Sequence, residues 1–168
     1  MKNTEASIPH KLPDKVVSFL NDRLADEYAA HYLYNAAFNW CADKAYNKAS
    51  AFFKEEAASE LEHARGLQDY MVKWNVIPSI RKVETSHEFS NLADIIEQAY
   101  TIEYDLYKKY NDGSKQILVI DPSTFDFLGK YRAIQTDSVA EYSDFLNALQ
   151  LIDRENKFEV LYFEQVYF

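Results

Sequence analysis

Several polar side chains stand in heptad rows otherwise filled by apolar residues. Glu27 lies between Leu20 and Tyr34, Glu60 between Phe53 and Leu67, Glu103 among Ala99, Leu106 and Tyr110, and Gln135 between Leu128 and Tyr142. His63 follows Glu60 by one helical turn, so a carboxylate and a ring nitrogen share one helix face. An unpaired buried carboxylate costs several kcal/mol, and carboxylates sharing one interior repel each other, so positive charge must lie among them. Arg23 and Lys130 stand only at the margins of these rows. Divalent metal ions are the economical solution: two such ions outweigh the charge of Glu27, Glu60 and Glu103, and a bridging hydroxide or oxide cancels the remainder. Oxygen ligands with one imidazole suit iron or manganese, with zinc as the usual competitor.

A lone Glu-x-x-His is more often a solvated pair on a helix surface than a metal site. Its weight here comes from Glu27 and Glu103, which fall in register on two other segments, a pattern characteristic of di-iron carboxylate bundles.

Helices must carry these residues. With only 3 Gly and 4 Pro in 168 residues and 27% charged side chains, long uninterrupted helices are favoured over turn-rich β-structure, and the expected class is all-α. The spacing predicts helices over 14–41, 47–74, 90–120 and 122–153 and a short fifth over 157–168, within one domain of residues 1–168. Asp14 is the expected N-cap of the first helix, and Asp121 caps the fourth with Pro122 at its first position. Residues 75–88 carry no helical period and are long for a link between antiparallel neighbours, which predicts a crossover along a four-helix bundle. The third stripe continues through Gly113 to Ile117 and Ile120, so a helix running through that glycine is favoured over a break at Asn111-Asp112-Gly113. The segment from Lys157 to Phe168 is too apolar on all sides to rest exposed on a monomer.

A net charge of −9 argues against nucleic acid or an anionic membrane as a partner, since both rely on dense Lys/Arg contacts, and it suits cations. The first residues hold no apolar stretch of signal-peptide length, and no run approaches the ~20 residues that span a bilayer. The lone Cys41 forms no internal disulfide, fits a reducing compartment, and is expected to be a small buried hydrophobe, so a cytoplasmic location is expected.

These residues resemble the ferritin family over essentially the whole chain. LADEYAAHYLYNAAFNWC resembles the first ferritin helix, with Glu27 as metal ligand and Tyr34 seven residues on. FFKEEAASELEHARGLQDYM resembles the second, with Glu60 as bridging ligand and His63 on one iron. EQAYTIEYDLYKKY places Glu103 at the second iron's carboxylate, and FDFLGKYRAIQTDSVAEY places Gln135 near that iron. The closing LYFEQVYF is similar to the fifth helix that lines the fourfold junctions of a shell of twenty-four subunits. The resemblance implies a non-haem ferritin that oxidises Fe(II) with O2 or H2O2 at a di-iron ferroxidase centre and stores the mineral in a homo-oligomeric shell. No haem is expected, because a second Glu-x-x-His on the fourth helix and a well-placed haem-ligand Met are both missing.

Departures from the family bear on the second iron. Ser138 stands where many bacterial ferritins carry a further Glu, and Ser59 replaces an acidic residue common just before the bridging Glu, which bears on an accessory third iron. Rival readings are a di-iron oxidase or peroxide-detoxifying protein that does not mineralise, and a ferritin-like subunit that binds metal with little catalysis. Tyr34 suits a hydrogen bond to a ligand, an electron donor, or plain core. His31 reads as an interior or interface histidine rather than a ligand, and Asp137, Glu141 and Asp144 as a solvated face or an iron guide.

Overall fold

The computed structural model describes residues 8–168. Residues 1–7, which the sequence reading includes in the single domain 1–168, lie outside the described residues. Six helices follow one another: α1 (Asp14–Asp43), α2 (Asn47–Lys73), α3 (Leu92–Leu118), α4 (Pro122–Phe127), α5 (Gly129–Leu149) and α6 (Lys157–Tyr167). Helices α1, α2 and α3, with α4 and α5 together as the fourth column, form a four-helix bundle. The segment 74–91 crosses from α2 to α3, as its missing period predicts. Among the described residues no strand forms, and no helix is long and apolar enough to cross a membrane.

The heptad rows become the core. Leu20, Leu24, Tyr34 and Cys41 from α1, Phe53, Leu67 and Met71 from α2, Ile96, Leu106 and Tyr110 from α3, and Tyr131 and Tyr142 from α5 are all essentially inaccessible. Burial pushes the Cys41 thiol up to about 12, so it is a packed hydrophobe with no thiolate character at neutral pH.

Gly113 does sit inside α3, and the reason is close packing. A Cβ there would lie 2.0 Å from the ring of Phe19 on α1, so only glycine lets the two helices approach at that level.

Three boundaries differ from the sequence reading. Pro13, not Asp14, occupies the N-cap of α1, and no side chain caps that end; Asp14 is the first helical residue. The third helix starts at Leu92 rather than near Ser90, because the Asn91 side chain accepts from the Asp94 N–H at 2.9 Å and fixes the cap. The helix expected over 122–153 is broken at Leu128 and stops at Leu149. At the break Arg132 donates to the Phe125 carbonyl at 3.1 Å, occupying the acceptor that a continuous helix offers to the Gly129 N–H. The Asp121 cap is as expected, accepting from the N–H groups of Ser123 and Thr124 at 3.1 and 3.3 Å with Pro122 next to it.

The closing helix α6 folds back on the bundle. Phe163 is buried, and Phe168 packs on Phe52, Phe53 and Phe145 with ring centroids 5.2, 5.6 and 4.9 Å away. The buried carboxylate of Glu164 accepts from the N–H groups of Lys48 and Ala49 at 2.7 and 3.0 Å, an anion on the free amides at the start of α2. The opposite face of α6 stays open, with Phe158 75% and Tyr162 63% exposed.

Candidate metal centre

Each bundle column sends one of the polar residues inward at the same level. Glu27 from α1, Glu60 from α2, Glu103 from α3 and Gln135 from α5 are at most 3% exposed, and His63 closes the site on the side of α2. One ligand atom from each of Glu27, Glu60 and His63 falls within 4.8 Å of the others. His63 Nδ1 is 3.2 Å from Glu60 Oε2 and 3.4 Å from Glu27 Oε2. Its other nitrogen faces outward, 3.4 Å from Ser59 Oγ.

Two tyrosines clasp the carboxylates across the bundle. The Tyr34 hydroxyl on α1 donates to Glu103 Oε1 on α3, and the Tyr110 hydroxyl on α3 donates to Glu27 Oε1 on α1. In each helix the tyrosine lies two turns after the glutamate, so antiparallel packing makes the two bonds reciprocal. Gln135, with its amide nitrogen turned toward α3, donates to the backbone oxygen of Glu103 at 3.1 Å and to Oε2 at 2.9 Å. That orientation makes Gln135 a support for Glu103. The Tyr131 hydroxyl donates to the His63 carbonyl at 2.9 Å; a Cβ at Gly66 would sit 2.6 Å from that hydroxyl, which accounts for the glycine.

The electrostatics mark a site built for a cation. Burial holds the Glu60 carboxyl well above the usual range, and the neighbouring Glu27 and Glu103 add to this against the opposing bond from His63. Burial likewise raises Glu103 to about 7, although its bond from Tyr34 opposes the rise. Burial alone would depress His63, but its bonds with Glu27 and Glu60 outweigh that and lift it to about 10. Protons therefore stand in for the missing positive charge. Glu27 Oε2 has no well-aligned hydrogen-bond donor, its nearest polar neighbour being His63 Nδ1 at 3.4 Å. The nearest cations are engaged elsewhere: Arg23 pairs with Asp26 at 2.6 Å, and the Lys130 ammonium lies over the rings of Phe127 and Tyr131 at 4.8 and 4.9 Å. Three carboxylates, an imidazole and an orphaned oxygen fit one or two hard divalent ions.

An open groove of about 440 Å³ between α2 and α5 leads to Glu60 and His63. Glu56, Ser59, Asp137, Ser138 and Glu141 line it. Burial, with Glu141 nearby, raises Glu56 to about 7. Ser138 thus faces the approach to the centre rather than completing a ligand set. His31 is not drawn to the centre; its Nδ1 lies 2.7 Å from the Ala57 carbonyl.

The heptad rows place Tyr110 with Ala99 and Leu106, and Tyr131 with Phe145 and Ile152, as ordinary core. The available signal for Tyr110 was its place two turns after Glu103, which repeats the spacing of Glu27 and Tyr34.

Residues 17–152 match the family described as Ferritin-like domain. A probable bacterial non-heme ferritin-like protein of Haemophilus influenzae is 28% identical over 148 residues, covering 87% of this chain and 90% of that protein. A bacterial non-heme ferritin of Campylobacter jejuni is 29% identical over 143 residues, covering 84% of this chain and 86% of that one. Among solved structures, an open-pore ferritin from the archaeon Archaeoglobus fulgidus superposes with a TM-score of 0.86 at 22% identity, covering 94% of this chain and 97% of that chain. Chlorobium tepidum ferritin superposes with a TM-score of 0.81 at 26% identity, covering 92% and 96%.

Proposed function

Since this chain belongs to the ferritin family, we propose that it stores iron, oxidising Fe(II) to Fe(III) at a di-iron ferroxidase centre inside each subunit and holding the mineral in a cytoplasmic shell of twenty-four copies. The observation that carries this reading is the convergence of Glu27, Glu60 and His63 within 4.8 Å in an interior whose marginal cations, Arg23 and Lys130, are engaged elsewhere. Iron is the substrate. Fe(II) enters by the acidic groove and displaces the protons held by the buried carboxyls. Glu27, Glu60 and His63 Nδ1 hold the first ion, while Glu60 bridges to a second that Glu103 binds. Tyr34 and Gln135 fix the Glu103 carboxylate, and Tyr110 fixes that of Glu27, so both of these ligands are pinned from behind.

Two ferrous ions give up two electrons, and dioxygen takes these with two protons to become hydrogen peroxide. The carboxylates stabilise the higher charge of Fe(III) relative to Fe(II), which drives the step. Ser138 adds no carboxylate beside Glu103, so the second Fe(III) is held less firmly and leaves more readily for the shell interior. The open apolar face of α6, with Phe158, Leu161, Tyr162 and Val166, is the surface that copies bury on assembly.

One experiment tests the whole reading. Fe(II) is added in air to the purified apo-protein, and particle mass, Fe(III) absorbance and retained iron are followed together. Rapid oxidation with iron retained in a large particle is expected. A monomer that gains no iron overturns the reading, and oxidation without retention leaves a di-iron oxidase in its place.

A further inference from the structure

The two tyrosines that clasp the centre open onto different surroundings. Tyr34 stacks on Phe53 and Tyr142, each at 6.1 Å, and beyond them lie Phe52, Phe145 and Phe168, rings that do not give up an electron readily. Tyr110 stacks on Tyr131 at 5.3 Å, with the planes 11° apart. Tyr131 meets Phe127 at 5.5 Å, Phe127 lies against Tyr70 at 3.8 Å, and Tyr70 meets Trp74 at 6.4 Å. Tyr110 and Tyr131 are buried, whereas Phe127, Tyr70 and Trp74 are partly exposed, so this file of rings runs from the centre to the surface. Filling a core needs volume, which Leu or Phe supplies equally well. This file supplies something more, two contacting pairs of oxidisable rings, Tyr110 with Tyr131 and Tyr70 with Trp74, separated by the single ring of Phe127.

We propose that Tyr110, Tyr131, Tyr70 and Trp74, bridged by Phe127, conduct single electrons from the surface at Trp74 to the metal centre, for use when only one Fe(II) is bound and peroxide arrives. This rests on the reading of the centre as an iron-oxidising site. Hydrogen peroxide needs two electrons and two protons to become two water molecules. One Fe(II), held by the better-built set of Glu27, Glu60 and His63, supplies one electron and becomes Fe(III). Tyr110 supplies the other, and its phenolic proton shifts along the existing bond to Glu27 and returns when the ring is reduced again. The two protons consumed come from solvent. The refilling electron passes from Trp74 through Tyr70, Phe127 and Tyr131, and a thiolate at the surface supplies it, becoming a thiyl radical. The sum is Fe(II), thiolate, peroxide and two protons in, and Fe(III), thiyl and two waters out, with no hydroxyl radical released.

The ring environment sets the direction. Lys130 lies 4.9 Å from the Tyr131 ring and Arg23 5.9 Å from that of Tyr110, and a cation over a ring makes electron removal from it harder. An electron vacancy at either ring is therefore passed outward, towards Tyr70 and Trp74.

The path is tested first without iron. In assembled apo-protein carrying Trp40→Phe and ring-deuterated tyrosine, a soluble photo-oxidant of the ruthenium class generates the Trp74 radical by flash. Time-resolved absorption and freeze-quench EPR then follow its exchange with tyrosyl radical. We expect the later phase, which carries the radical past Tyr70 to the buried tyrosines, to slow severalfold in Phe127→Leu and all exchange to be lost in Tyr70→Phe, with particle mass and helix content unchanged in the variants compared. An exchange that is equally fast in both variants overturns the path. The second arm adds peroxide to protein holding less than one Fe(II) per subunit, with a spin trap and a thiol present. More trapped hydroxyl radical in Trp74→Phe than in the parent is expected, and equal trapping overturns the proposed use. A protein that passes the flash test yet oxidises no Fe(II) defeats the ferroxidase reading and leaves the path standing.

Discussion

The α1–α2 half of the centre and the α3–α5 half are alike in support and unlike in ligands. Glu27 is followed two turns later by Tyr34, and Glu103 two turns later by Tyr110, and each tyrosine binds the other helix's carboxylate. On the second helix of each half the correspondence fails: α2 offers Glu60 and His63 one turn apart, whereas α5 offers Gln135 and Ser138 at the same spacing. The half with Glu-x-x-His gathers three ligand atoms within 4.8 Å, and the other contributes Glu103 with an amide that donates to it. Reciprocal clasping thus holds both halves to one geometry, while ligand strength is set separately on α2 and α5. On the proposed di-iron reading, such a centre keeps one metal and passes on the other.

Removing the shared ligand breaks the comparison most completely. Glu60→Ala leaves neither half whole, and the initial rate of Fe(II) oxidation, followed by Fe(III) absorbance, is expected to fall by more than the ~10–100-fold typical of an outer-shell partner. Making the halves alike sharpens it: Gln135→Glu with Ser138→His copies the α2 pair onto α5, and titration with a redox-inert divalent ion is expected to show the second site tightening by roughly tenfold or more. Retained weak binding of the second ion in that variant would show that something other than ligand identity separates the halves.

The tyrosines test the shared support. Tyr34→Phe and Tyr110→Phe each strip a buried carboxylate of its donor, and each is expected to cost the metal-free protein about 1–3 kcal/mol in thermal unfolding. Tyr34→Phe should cost the less, since Gln135 still donates to Glu103. Tyr110→Phe should weaken the first metal and Tyr34→Phe the second.

The smallest effect is a pH slope. The folded Glu103 carboxyl, at about 7, lies above its ordinary value, so between the ordinary carboxylate range and pH 7 the folded state holds a proton that the unfolded state has lost. His63, at about 10, does the same between its ordinary value near 6.5 and pH 10. Both terms make the metal-free protein less stable as pH rises, Glu103 over the lower window and His63 over the upper. Bound divalent metal displaces those protons, so the melting temperature of loaded protein should vary less with pH across both windows.

Much of this was legible along the chain because a helix converts sequence spacing directly into a face. The rows through Glu27, Glu60, Glu103 and Gln135 needed only the helical period and the cost of burying charge to mark a polar interior that calls for positive charge. The same reasoning read the crossover and the Asp121 cap correctly. It missed the break in the fourth helix because the interruption at Leu128 involves Arg132, whose guanidinium reaches back to the Phe125 carbonyl. It read Tyr110 and Tyr131 as core because both are core, and their hydroxyl partners lie on other helices.

Local periodicity and composition, properties of neighbouring residues, therefore determined the all-α class, the helices and the polar residues that face inward. Tertiary packing alone decided which carboxylate each tyrosine clasps, which way the Gln135 amide turns, and that the rings from Tyr110 to Trp74 form one file. These outcomes depend on the register between antiparallel helices, and that register is set where Phe19 meets Gly113 and Tyr131 meets Gly66, by contacts between residues far apart in the chain.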